Sequence, residues 1–233
     1  MNTYVFLITA KTNLHVGNES GGEFTIIDKA IQRDPLTLLP CINSSSLKGA
    51  IKEYCVYENE KRDQEEKIDV EQLFGSDVDI KTGKVKSDSK KGGAIFFDAK
   101  LLYLPQQNDS TLYHYITSND IVKMMVDRVH LFNKDFSYEK PDVLNGKDVK
   151  FDENITSLSN NDNLPIIARN VLENGESKNL WYEQVLPAET VLYTIIREEG
   201  EVLKKALDGK VVQIGANATI GYGYCKFDLL CSK

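Results

Sequence analysis

Residues 94–117 read AIFFDAKLLYLPQQNDSTLYHYIT, and the assignment of this stretch decides the fold. Two runs rich in aromatic and aliphatic residues, 94–103 and 111–117, flank PQQNDS, a cluster of turn formers, so the stretch predicts two strands joined by a turn at 105–110. Upstream, Leu47, Ala50, Ile51, Tyr54 and Cys55 recur at helical spacing, predicting a helix over 46–57 capped by Ser44, Ser45 or Ser46. Downstream, Ser118 or Asn119 caps a second helix with Ile121, Val122, Met125, Val126 and Val129 on its apolar side. At the N-terminus, Tyr4, Phe6, Ile8 and Ala10 alternate with Val5 and Leu7, a strand over 4–12 covered on both faces. A strand over 188–197, a short helix over 200–207 and a closing strand over 223–231 complete the chain. The order strand–helix–strand–strand–helix–strand predicts an α/β (α+β) protein of ferredoxin-like, RRM-like type, one domain over 1–233. Three long segments without periodicity, about 14–45, 58–93 and 133–180, then become insertions on a small scaffold, where function tends to reside.

The composition is that of a globular protein, 41% hydrophobic and 27% charged, with a net charge of −7. No apolar run approaches the length needed to span a bilayer, and the start of the chain has no basic, cleavable leader, so a cytoplasmic location without a membrane is expected. The four cysteines form no CxxC pair and have no histidine at ligand spacing, which argues for reduced thiols and against a structural zinc. Net acidity disfavours indiscriminate nucleic-acid binding, yet the charge is segregated. Residues 58–71 carry seven acids against three bases, and residues 81–91 carry five lysines against one acid. A local basic groove is therefore compatible with the total.

The run SSSLKG at 44–49 places hydroxyls, Lys48 and Gly49 at a helix start, where unpaired amides and the dipole favour anions. Serine is also an ordinary cap and a surface lysine is ordinarily solvated, so the pattern alone leaves both readings open. Gly17, Gly21 and Gly22 follow the first strand, and Gly215, Gly221 and Gly223 precede the last. Each cluster reads as a close-approach site or as a loose turn.

Taken in order, these motifs resemble one family. LHVGN…GGEFTIIDKAIQRDPLTLLP, SSSLKGAIK, LFGS…GGAIFFDAKLL, WYEQVLPAETVLY and QIGANATIGYGY are similar to the segments of the fourth Cmr-module subunits, the repeated backbone RAMP proteins of type III-B CRISPR–Cas effector complexes. The resemblance runs nearly end to end. The chain departs from it at Asn43 and Ser44, where Pro-Gly is usual, at Ala216 for a glycine, and at Tyr222, where a basic residue is common. It implies a subunit that stacks with copies of itself along a guide CRISPR RNA beside other Cmr-complex subunits and cleaves complementary target RNA at regular intervals.

The matching catalytic residue is Asp28, a loop acid that without the resemblance reads as a local cap. As an unaided base at neutral pH it is poorly suited to a 2′-hydroxyl, so the resemblance implies that it orients that hydroxyl or holds a divalent ion, Mg or Mn, none being tightly bound. His15, Gly17, Arg33, Ser45, Ser46, Lys48, Gly49, Gly215, Asn217, Gly221, Tyr222 and Gly223 are the implied RNA-binding positions, and Tyr222 offers a ring for a base. Glu183 is a candidate second acid, and Asp98 is read as structural. The family's protruding thumb hairpin is expected in KDVKFDENITSLSNN…LPIIARNVL, or in the lysine-rich 81–91. A catalytically silent RNA-binding backbone subunit and a ferredoxin-like protein-interaction domain remain alternatives.

Overall fold

The computed structural model describes residues 1–17, 27–76, 90–152 and 164–233. Strand β1 (Asn2–Ala10) lies at the centre of the main sheet, and its alternating side chains are buried on both faces as its pattern requires. Its neighbours are β10 (Val191–Glu198) and β12 (Tyr224–Ser232), both antiparallel. Strand β4 (Ala99–Asn108) pairs with the far side of β10. The helices α1 (Ser44–Glu60) and α4 (Val202–Leu207) bury Leu47, Ile51 and Cys55, and Leu203, Ala206 and Leu207, in the same core.

The ferredoxin-like order is therefore present, with different members from those expected. The unit is β1–α1–β4–β10–α4–β12, and the order β12-β1-β10-β4 is the 4-1-3-2 arrangement of that fold. Strand β5 (Leu112–Thr117) and helix α3 (Asn119–His130), expected within the core unit, are an elaboration between its second and third strands. Local pairing decides this: β5 folds straight back on β4, while the central place beside β1 goes to β10, whose five nonpolar residues, Val191, Leu192, Tyr193, Ile195 and Ile196, are all buried. Short strands β2 (Cys41–Ile42), β3 (Ile95–Phe96) and β11 (Val211–Gln213) trim the sheet. Strands β6 (Val143–Leu144) and β7 (Lys147–Phe151) extend its other end, β7 running parallel to β5.

Several boundaries differ from expectation. Strand β4 continues through Pro105 to Asn108, so the expected turn at 105–110 shifts to its last residues. Pairing with β10 ends at Tyr103, which leaves one side of β4 unpaired there and accommodates a residue without an N–H. Helix α1 is longer than expected at both ends, and its N-cap is Asn43, whose side chain makes no capping bond; the three serines are its first helical residues. Ser118 caps α3 as expected, its Oγ accepting from the Ile121 amide at 3.2 Å.

A separate two-stranded hairpin, β8 (Ile166–Glu173) and β9 (Glu176–Gln184), projects from the body. Asn174 and Gly175 both take positive φ at its tip, 52° and 84°, the two-residue connection that suits strand twist. Of the expected thumb, LPIIARNVL supplies the first strand, but KDVKF belongs to the sheet as β7, and WYEQ supplies the base of the returning strand. The intervening 153–163, and most of the alternative lysine-rich stretch, lie outside the described residues, as do Gly21 and Gly22. No helix among the described residues is long and apolar enough to cross a membrane.

Candidate RNA-binding and cleavage site

The site begins where β1 ends. Leu14 is clamped to Leu186 by reciprocal backbone bonds of 2.9 Å, which drives the next side chain, His15, inward to 3% exposure. Its Nδ1 lies 2.7 Å from the Gln184 carbonyl. A carbonyl only accepts, so Nδ1 donates in this contact, and Nε2 lies on the side of Gly17. A side chain at Gly17 would sit 3.2 Å from that Nε2. His15 thus holds the base of the hairpin instead of lining an open surface.

Asp28 is exposed and lies along the edge of β9. Its Oδ2 accepts from the Tyr182 amide at 2.7 Å, and the amides of Asp28 and Lys29 both donate to the Tyr182 carbonyl at 3.1 Å. The Gln184 amide completes the contact by donating to the Lys29 carbonyl at 2.9 Å. The Asp28 segment consequently docks on the hairpin base through an isolated parallel bridge between Lys29 and Glu183, with its carboxylate oriented by backbone and open to solvent.

Glu183 occupies the junction. Only 2% of its side chain is exposed, and both oxygens are engaged: Oε1 by Trp181 Nε1 at 2.9 Å and Lys29 Nζ at 3.3 Å, Oε2 by Asn217 Nδ2 at 2.8 Å and Arg169 Nε at 3.2 Å. Burial pushes its carboxyl up, but the hydrogen bonds from Trp181, Asn217 and Lys29 prevail and hold it at about 2. In this chain Glu183, the expected second acid, is a fully satisfied anion joining four segments.

The glycine loop meets that junction through Asn217, whose left-handed backbone (φ 67°) aims its amide at Glu183. A Cβ at Gly215 would stand 2.3 Å from the His15 carbonyl oxygen, and one at Gly223 2.0 Å from that of Ile214, both with positive φ. These two glycines serve close approaches inside the chain. Gly221 also has positive φ, but nothing among the described residues lies within 4 Å of its missing side chain. Tyr222, expected to present its ring, has the Arg169 guanidinium 4.6 Å from the ring centroid.

Gln32, to which the sequence reading gave no role, connects this region to α1. Its Nε2 donates to the Gly17 carbonyl at 3.2 Å and to Ser46 Oγ at 2.9 Å, and its Oε1 accepts from the Asn43 amide at 2.7 Å. At the helix start, Asp98 Oδ1 accepts from the Ser44 amide at 2.8 Å, the structural part expected of it. Ser45 and Gly49 are exposed, nothing lies within 4 Å of a Cβ at Gly49, and Lys48 makes no ion pair among the described residues. Arg33 donates to the Leu38 carbonyl at 2.8 Å and reaches Gln184 Oε1 at 3.5 Å. Of the expected residues, His15, Gly17, Arg33, Ser46, Glu183, Gly215 and Asn217 are thus gathered into one band, running from α1 through Gln32 and His15 to Glu183 and the glycine loop, whereas among the described residues no side-chain hydrogen bond or ion pair joins Ser45, Lys48, Gly49 or Gly221 to it. A signal for Gln32 and Trp181 lay only in the family-like motifs that contain them, and for Arg169 only in the expected thumb stretch LPIIARNVL.

Asp34, six residues beyond Asp28, organises the 34–39 loop: its Oδ1 accepts from the amides of Leu36 and Thr37, and its Oδ2 pairs with Lys100. These bonds outweigh burial and hold it at about 2. Cys41, Cys55 and Cys225 are free thiols that burial pushes up to about 11, 11 and 12, which makes them unreactive packing residues.

For a divalent ion, Asp28 offers one exposed carboxylate whose Oδ2 already accepts a backbone N–H. No group of three or more His, Cys, Asp or Glu side chains able to hold a metal occurs among the described residues. The donor set fits an ion such as Mg, which commonly takes one or two carboxylates and completes its shell with water and substrate phosphates.

The RAMP superfamily model matches residues 7–226. A curated relative from Pyrococcus furiosus, the CRISPR system Cmr endoribonuclease Cmr4, is 25% identical over 98% of this chain and 96% of its own length. Among solved structures, a chain of the type III-B Cmr-beta complex in its apo state superposes with a TM-score of 0.75 at 21% identity, covering 98% of this chain and 97% of that one. A chain of Cmr-beta bound to cognate target RNA gives 0.69 at 20% identity, covering 97% and 96%.

Proposed function

Because the chain belongs to the RAMP superfamily and is Cmr4-like along its whole length, we propose that it is an RNA-guided endoribonuclease subunit that lines guide RNA as one of several stacked copies. The observation that carries this reading is the placement of Asp28: an exposed, backbone-oriented carboxylate at the foot of a projecting hairpin, on the band that also holds the α1 start and the glycine loop. The relative's name includes endoribonuclease activity, and another relative is seen with target RNA.

The reaction is attack of a ribose 2′-oxygen on the adjacent phosphorus with expulsion of the 5′-oxygen. The P–O2′ bond forms, the P–O5′ bond breaks, and the proton leaving the 2′-hydroxyl is balanced by one gained at the 5′-oxygen. Attack requires in-line alignment, which helical RNA lacks and a kinked strand provides. The hairpin supplies the wedge. Asp28 accepts a hydrogen bond from the 2′-hydroxyl and so orients its oxygen for attack. Lys29 keeps a cation beside it, with its Nζ 4.9 Å from the Trp181 ring centroid. A divalent ion held by Asp28 and RNA phosphate would supply charge stabilisation at the phosphorus. At α1, Lys48 and the open face of Gly49 contact guide backbone, Lys48 as a point charge and Gly49 as a gap.

The test is Asp28→Asn in the assembled complex. The amide oxygen retains the Tyr182 contact, so guide and target binding should persist while cleavage at every regular position disappears. Asp109→Ala, an exposed turn position, is the control; Asp34 is unsuitable because it organises its own loop. Cleavage by Asp28→Asn at the wild-type rate would reject Asp28. A wild-type complex that binds target but never cuts would leave the silent backbone reading.

A further inference from the structure

The hairpin changes character at a single level. Along β8 only Ile167 and Arg169 are partly buried, and every residue from Asn170 to Glu173 is exposed; along β9 burial begins at Trp181, directly opposite Arg169. Beyond that level, among the described residues, each strand pairs only with the other. Arg169 is therefore the outermost β8 side chain held against the body. Its Nε donates to Glu183 Oε2 at 3.2 Å, its guanidinium carbon lies 4.6 Å from the centroid of the Tyr222 ring, and its Nη2 is buried. A guanidinium suits this double duty, since it is planar enough to stack and forked enough to bond in its own plane.

We propose that Arg169 is a positioning residue: clamped between the Glu183 carboxylate and the Tyr222 ring, it sets the angle at which the hairpin leaves the body relative to Asp28. The proposal rests on the cleavage reading above and deepens it. The lever is long. Five residues from Arg169 to the tip span about 17 Å, so a tilt of about 10° carries the tip about 3 Å. Displacement on that scale separates the strand distortion from the carboxylate that must meet the 2′-hydroxyl. The clamp also reaches Asp28 by a second route, because the Glu183 that holds Arg169 also holds Lys29. Tyr222 thereby acquires a function that a lysine or arginine at that position would not perform, namely an apolar face for a cation delivered by the hairpin.

Complexes carrying Arg169→Lys, Arg169→Met, Tyr222→Leu and Tyr222→Phe should be compared with wild type in single-turnover cleavage at saturating target. Target affinity and its salt dependence should be measured beside the rates. Both Arg169 variants and Tyr222→Leu should slow cleavage about tenfold or more with affinity kept within about twofold, as expected when only alignment is lost. Tyr222→Phe, which keeps the ring facing the guanidinium, should slow cleavage less than Tyr222→Leu, and Arg169→Met with Tyr222→Leu should be little worse than either alone. A salt slope reduced by about one, with weakened binding and unchanged cleavage at saturation, would make Arg169 a phosphate contact and overturn the proposal. So would wild-type cleavage by both Arg169 variants. Amide exchange over 164–186 in the RNA-free chain separates the two readings: it should accelerate in Arg169→Met whether or not the complex cuts RNA, and unchanged exchange there overturns the clamp by itself.

Discussion

Replacement of Gly49 by alanine is expected to act in opposite directions on the isolated chain and on its RNA complex. Gly49 is the sixth residue of the 17-residue helix α1, it is exposed, and nothing among the described residues lies within 4 Å of a built Cβ. Its φ is not in the left-handed region, so no backbone strain opposes a side chain. A glycine inside a helix costs about 1 kcal/mol relative to alanine, and no internal packing offsets that cost here. Gly49→Ala should therefore raise the stability of the isolated chain by about 1 kcal/mol, or about 2–4 °C in Tm for a domain of this size. A chain that tolerates this destabilisation without internal reason is expected to use the gap for something outside itself. If guide backbone approaches that gap, the added methyl should weaken guide binding and complex assembly at unchanged helix content. Denaturant unfolding of the RNA-free protein and titration with guide RNA read the two effects separately. A stabilised variant that binds guide RNA with wild-type affinity would refute the approach of RNA at Gly49. A destabilised one would refute the open helix surface itself.

Lys48→Ala should leave stability nearly unchanged, alanine being a good helix former, and should make the salt dependence of guide binding shallower by about one phosphate contact; an unaltered slope would take Lys48 off the RNA. Glu183 is held below its ordinary value, so its contribution is fully present above the unfolded pKa near 4.5 and is lost as pH falls toward about 2. That contribution is at most about 3 kcal/mol, and Glu183→Gln should flatten the acid limb of stability over this window; an unchanged limb in acid titrations of unfolding would count against the junction. Gly223→Ala and Gly215→Ala should each cost roughly 3 kcal/mol or more, since a Cβ would strike a carbonyl oxygen at 2.0 and 2.3 Å, whereas Gly221→Ala should cost about 1 kcal/mol from φ alone. Equal losses in thermal unfolding for all three would contradict the distinction between close approach and turn.

Much of the local structure was legible in the residues themselves. The alternation in Tyr4–Ile8 required a strand covered on both faces, Ser118 required a helix start, and the Ile121, Met125, Val129 spacing required the buried side of α3. Asn174 and Gly175 between two polar-apolar runs carry a hairpin signal equally local, because both residues accept positive φ at little cost. The ordered motifs were enough to indicate the family. Tertiary structure alone decided which strands form the ferredoxin-like unit, since β4 has comparable local reason to pair with β5 or β10 and only competition for the place beside β1 settles it. It also decided the fate of polar side chains. A sequence cannot distinguish an exposed glutamate from one whose oxygens meet Trp181, Lys29, Asn217 and Arg169, because three of those donors, Lys29, Asn217 and Arg169, come from other segments of the chain. For the same reason His15 and Gly215 read as groove residues but serve the interior: the carbonyls they meet, at Gln184 and His15, arrive from distant parts of the chain. Local propensity is set by neighbours in sequence, whereas burial and the satisfaction of hydrogen bonds are set by neighbours in space.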